Sequence, residues 1–147
     1  MAADLPVLED LLDARELVEG MIARTAARRR TERDIDAIEQ AFAAYVDAPT
    51  QQACHACDIG FHAAILWATH NPQLALLTQD LLRRVTPGLA IEPYSTDMDA
   101  RALVEHRELV AAIVAGDEQR AGHVAEHHFT ISSENTRRVL RRGIGPS

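Results

Sequence analysis

The stretch His106 to Phe129, HRELVAAIVAGDEQRAGHVAEHHF, reads as two helices folded against each other across a tight corner. After Leu103, the apolar residues Leu109, Val110 and Ile113 recur at helical spacing, and Gly116 is placed as the glycine that stops the first helix. Asp117 can cap the second, in which Val124, His128 and Ile131 share the stripe that faces a core. Apolar stripes separated by corners of this kind build a helical bundle.

The same period runs outward in both directions, with no strict apolar alternation long enough for a sheet. A first helix is expected from about Leu8 to Arg30, with Leu8, Leu11, Leu12, Val18, Met21 and Ile22 on or near one stripe. Thr31 caps a second, with Asp34 at the position that favours the helix dipole, Ile35, Ile38, Phe42 and Tyr45 on its buried face, and Pro49 as the breaker. A third is placed at about Thr50 to Thr69, and a fourth from Asn71-Pro72 to about Val85. Thr86 to Asp97 holds two prolines and reads as loop or kinked helix. The fifth helix starts near Thr96 or Asp97, the sixth reaches Arg138 or beyond, and the Gly- and Pro-containing end is a frayed tail. The expected architecture is an all-α antiparallel bundle of six to seven helices.

Composition agrees. The 147 residues suit one domain, 1–147, with a helical core over about 8–140. Apolar residues make up 47% and aromatics 4%, which favours helices packed through small and branched aliphatics. A net charge of -7 excludes a nucleic-acid surface spread over the domain. The acidic N-terminus is no signal peptide, and the longest uncharged stretch, Ile59 to Gln79, carries His62, His70, Asn71, Pro72 and Gln73, so no membrane span is expected. Two cysteines cannot supply a disulfide framework, which points to a reducing cytosol.

Chemistry concentrates on four side chains from three helices. Asp58 and His62 lie four apart and share a helix face, so both can reach one ion, although an exposed hydrogen-bonded pair has the same spacing. Cys54, Phe61 and Ile65 flank Asp58, which sets it among apolar neighbours, where a carboxylate needs a partner or a metal. His106 borders the apolar stripe of the fifth helix and could equally be a satisfied core histidine. His128 is the inward candidate on the sixth, with His127 as the alternative. One carboxylate and three imidazoles suit Zn, with Ni, Mn or Fe as alternatives, and an octahedral ion would keep two positions open.

Cys54 and Cys57 read as two small buried hydrophobes rather than half a zinc site or a redox pair, and Arg28, Arg29, Arg30 and Arg33 as a solvated helix end. No nucleotide-binding or serine-hydrolase motif is present.

In this order and spacing the residues resemble the FCD effector-binding domain of GntR-type transcriptional regulators, the FadR subfamily. Arg15, Val18, Glu19, Ala26 and Ala27 match its opening pattern, and Asp58, Phe61, His62 and Asn71 its central one. His106, Leu109, Ala112, Ile113, Gly116 and Asp117 match the next block, and Ala121 and His128 the last. The resemblance implies a cavity in which Asp58, His62, His106 and His128 hold a divalent metal. A small organic acid, such as a sugar acid, lactate, a dicarboxylate or a fatty-acid derivative, would complete its coordination. Arg15 would bind the acid or a ligand carboxylate, or else form a salt bridge with Glu19 or another acid.

The resemblance further implies a cytoplasmic homodimer that reaches DNA only through a winged-helix domain, which is expected to be absent from this chain. That leaves either a truncated regulator or a free-standing sensor. The rival functions are a metal-dependent enzyme at the same site and a purely structural dimerisation domain. An enzyme is not expected, because no further inward acid offers itself as general base. Glu105 and Glu126 adjoin proposed ligands, but neighbours on a helix point a quarter-turn or more apart.

Overall fold

A computed structural model describes residues 5–85 and 96–143. These form six helices and no strand: α1 (Leu5–Arg29), α2 (Glu32–Val46), α3 (Gln51–Trp67), α4 (Pro72–Val85), α5 (Thr96–Ala115) and α6 (Glu118–Gly143). The chain is an all-α helical bundle, as its periodicity requires. Most of the expected Thr86–Asp97 connection and the last four residues of the expected tail lie outside the described residues.

The helix boundaries follow from capping chemistry. Thr31 and Asp34 close a capping box: the Thr31 hydroxyl accepts from the Asp34 amide at 3.2 Å, and Asp34 Oδ2 accepts from the Thr31 amide at 2.7 Å. Thr50 accepts from the Ala53 amide at 3.1 Å, Asn71 Oδ1 from Gln73 at 3.1 Å, and Asp117 Oδ1 from Arg120 at 3.0 Å. Gly116 adopts φ 70°, and the amides of Asp117 and Gly116 donate to the carbonyls of Ala112 and Ile113, both at 3.0 Å. This is a Schellman motif, which uses otherwise orphaned carbonyls at the end of α5.

The core joins Ile22, Ala23, Ala26 and Ala27 of α1 to Ile38 of α2, Phe61 and Ile65 of α3, Leu109, Ala112 and Ile113 of α5, and Ala121 and Ala125 of α6. The alanines let α1 lie close along α6, while α5 packs against α1, α2 and α6.

Four expectations need correction. Met21 is 47% exposed and sits outside the α1 stripe, and α1 begins at Leu5 rather than Leu8. Arg29 and Arg30 are not simply solvated: Arg29 donates to Thr69 O at 3.3 Å, and Arg30 to Ile113 O at 2.8 Å and Val114 O at 2.9 Å, clamping the end of α5. Cys54 and Cys57 are only partly buried, and neither forms a disulfide.

Candidate metal centre

Helix α3 presents Asp58 and His62 from one face, α5 presents His106, and α6 presents His128. Asp58 Oδ1 lies 3.3 Å from His62 Nε2 and 3.3 Å from His106 Nε2, and His106 Nε2 lies 3.2 Å from His128 Nε2. One nitrogen from each of His62, His106 and His128 falls within 4.8 Å of the others, a spacing that could hold a metal ion. Donors placed about 2.1 Å from a tetrahedral ion are separated by about 3.4 Å, so the three close contacts have the scale of a coordination shell. All four candidates therefore meet in one cluster. His127, the alternative to His128, is exposed.

The walls are aromatic. The Phe61 ring is 4.7 Å from His106 and 5.2 Å from His62, and Phe129 is 5.2 Å from His62 and 5.1 Å from His128. Tyr45 meets His106 edge-on at 4.6 Å. These rings pack against the histidine side of the cluster and restrain the imidazole planes.

Protonation follows from that burial. His106 is 1% exposed, and desolvation, reinforced by His62 and His128, pushes its pKa down to about 3. Its imidazole is neutral at physiological pH, which leaves a lone pair available. Burial alone would raise Asp58, yet its hydrogen bond to His62 and the histidine charges bring it down to about 2. Burial opposes a charge on His62 as well, but the hydrogen bond to Asp58 and the charges of Asp58 and Glu19 leave its pKa raised.

Two acids join this picture that were discounted or unassigned from sequence. Glu105 is 8% exposed, and its Oε1 lies 3.4 Å from His128 Nδ1 while its Oε2 is buried without a partner. Glu19, on α1, lies within electrostatic reach of His62, Arg15, His128 and Asp58, and burial pushes its carboxyl above the usual range. The expectation that no further inward acid exists is thus overturned. The missed signal was periodic: Glu19 continues the 4-3-4-3-4 spacing of Leu8, Leu12, Arg15, Ile22 and Ala26, and Glu105 precedes Leu109 by four.

Arg15 completes the α1 side. Its guanidinium carbon stands 4.9 Å from the centre of the Phe129 ring, and its Nε is buried without a hydrogen-bond partner. Among the described residues, no helix is long and apolar enough to cross a membrane.

Comparison with known proteins gives this cluster its context. The FCD domain family model matches residues 10–130, a span that includes every residue of the site. The chain is 31% identical over 140 residues to the galactonate operon transcriptional repressor of Escherichia coli (strain K12), covering 92% of this chain and 59% of that protein. It is 25% identical over 134 residues to the putative HTH-type transcriptional regulator RmpR of Mycobacterium gastri, covering 88% of this chain and 48% of that one. The chain thus spans between about half and three fifths of the length of these curated relatives, both of which are transcriptional regulators. With the family match extending over most of its length, the chain belongs to the FCD domain family of GntR-type regulators.

Proposed function

We propose that this chain is the effector-sensing domain of a bacterial FadR-type transcriptional regulator. In this reading Asp58, His62, His106 and His128 hold one divalent transition metal, with Zn first and Ni, Mn or Fe as alternatives. The observation that carries it is a group of three imidazoles whose nitrogens lie within 4.8 Å of one another, with the Asp58 carboxylate 3.3 Å from two of them. The bound ion would supply a positive centre able to accept the carboxylate of a small organic acid. Arg15, whose Nε is buried without a hydrogen-bond partner, would take a further carboxylate or hydroxyl oxygen of that acid. The name of the Escherichia coli relative puts sugar acids such as galactonate at the head of the candidates.

The domain would act in the cytoplasm as a homodimer, with residues 1–147 as one unit. Operator DNA would be read by a linked winged-helix domain. To transmit a signal, the acid has to interact differently with two arrangements of the bundle, since equal affinity for both shifts neither.

The test is metal content of the purified chain beside a His62→Ala, His106→Ala double variant, followed by thermal melts over a panel of carboxylic acids. Near-stoichiometric metal, lost in the variant, is expected. Metal at a hundred times its Kd would add about 2.7 kcal/mol, or roughly 5–10 °C in Tm for a chain of this size. One class of acid should raise Tm further only when metal is present. No metal in either protein after incubation with Zn, Ni or Mn would refute the site. The enzyme reading would draw on Glu19, the buried acid on the α1 side of the cluster; it predicts consumption of an acid in the panel, whereas a sensor returns the acid unchanged.

A further inference from the structure

Glu105 occupies a position that packing alone does not explain. It is a carboxylate at 8% exposure, with Oε1 3.4 Å from His128 Nδ1 and Oε2 buried with nothing to accept from. A buried oxygen without a partner is costly, so the fold retains this group against its own desolvation.

Its one contact lands on the outward nitrogen of a proposed ligand. His128 turns its other nitrogen, Nε2, into the cluster, 3.2 Å from His106 Nε2. A neutral imidazole carries a single proton, and a carboxylate can only accept. Contact with Glu105 therefore draws the proton to Nδ1 and leaves the Nε2 lone pair facing inward. His106 is the contrast within the same site: its Nδ1 is buried without any partner, so no group outside the cluster selects its tautomer. The Phe129 ring, 5.1 Å from His128, restrains the imidazole plane but carries no charge that could choose between its nitrogens.

We propose that Glu105 is a positioning residue of the metal centre, a carboxylate that orients His128 and holds it in the Nδ1–H form whose Nε2 can ligate. This rests on the metal reading given above. Metal-binding histidines commonly donate their second N–H to such an acceptor, and loss of the acceptor weakens binding by about 10–100-fold. A plain tie between α5 and α6 would instead lower stability with and without metal and leave affinity and tautomer unchanged.

The experiment compares the 147-residue chain with its Glu105→Gln and Glu105→Asp variants. Zn affinity is measured by competition with a chromophoric chelator, and Tm is measured after metal removal. The ring 15N shifts of His128 are recorded in metal-free protein and assigned with His128→Gln. The expected result is Zn binding about 10–100-fold weaker in Glu105→Gln, partial recovery in Glu105→Asp, and a wild-type Nδ1–H signature that Glu105→Gln loses. Unchanged Zn affinity in Glu105→Gln overturns the proposal while leaving the metal centre intact. A wild-type His128 protonated on Nε2, or a fall in Tm with affinity and tautomer unaltered, also overturns it. Failure of the wild type to bind Zn refutes the centre and this role together. Should Glu105→Gln not fold, Glu105→Asp and the wild-type tautomer decide.

Discussion

Replacing His106 with glutamine should remove much of the acid sensitivity of the metal-free fold. The imidazole is 1% exposed and its pKa is pushed down to about 3, against 6.5 for the free group, chiefly by desolvation and then by His62 and His128. Unfolding restores the ordinary value, so between these limits the unfolded chain binds a proton that the native one does not. Stability from this term is complete above about pH 6.5 and falls as pH drops toward 3. A gap of about 3.5 units at about 1.36 kcal/mol each is on the order of 5 kcal/mol, comparable to the whole stability of a small domain.

The neighbouring groups carry shifts of their own. Burial lowers and Asp58 more than restores the pKa of His62, so its contribution is present below 6.5 and is lost as pH rises through the raised value. Asp58, held at about 2 against 3.8, contributes fully above about pH 4 and loses that contribution as pH falls toward 2. Glu19, whose carboxyl burial pushes above 4.5, binds its proton first in the native state, so it adds stability as pH falls through that raised value and opposes the loss at His106. The difference between the wild type and His106→Gln at each pH therefore isolates the His106 term. Urea unfolding followed by helical circular dichroism in a chelating buffer, at intervals from pH 7.5 to 4.5, reads the slope. The stability of the wild type relative to His106→Gln should fall by roughly 1 kcal/mol per unit below pH 6.5. Parallel curves for the two proteins would show that burial does not hold His106 neutral.

Other substitutions probe the frame around the site. Gly116→Ala places a Cβ 3.0 Å from Arg30 Nη2 at φ 70°, so a left-handed penalty of about 1–2 kcal/mol adds to a disturbed clamp on α5. A Tm lower by roughly 4–8 °C is expected, with Gly116→Asn losing less; an unchanged Tm would remove Gly116 as the constraint on that corner. Thr31→Ala breaks the capping box of α2 and should cost about 1 kcal/mol in urea unfolding, while an unaltered midpoint would show that the cap contributes nothing. Arg15→Ala should abolish the rise in Tm caused by the acid while leaving metal content intact. If the response to acid persists in that variant, Arg15 has no part in binding it.

Helix ends were legible because each depends on a few adjacent residues: Thr31 with Asp34, Thr50, Asn71-Pro72 and Gly116-Asp117 fall where capping chemistry requires. The meeting of Asp58, His62, His106 and His128 was legible for a different reason, since each sits at or beside an apolar stripe and stripes converge. Glu105 was lost through an argument that holds for one partner and fails for several. Successive residues on a helix are about 100° apart, so two neighbours cannot face the same helix. Yet α5 packs against α1, α2 and α6, so its buried face is wide enough to take two adjacent residues. His106 can turn into the cluster while Glu105 meets the back of His128, and both are buried.

The better signal is therefore the interrupted stripe. Arg15 and Glu19 break the apolar run of α1, Asp58 and His62 that of α3, and Glu105 and His106 that of α5. A charge on a core-facing stripe costs several kcal/mol unless something compensates it, and random surface placement would be far cheaper for a purely structural bundle. Interruptions on three separate helices that arrive within reach of one another argue that the compensating partner is shared. Position on the helix, rather than residue type, marks these interruptions, and Glu19 and Glu105 are among them although neither stands at ligand spacing from another candidate metal ligand.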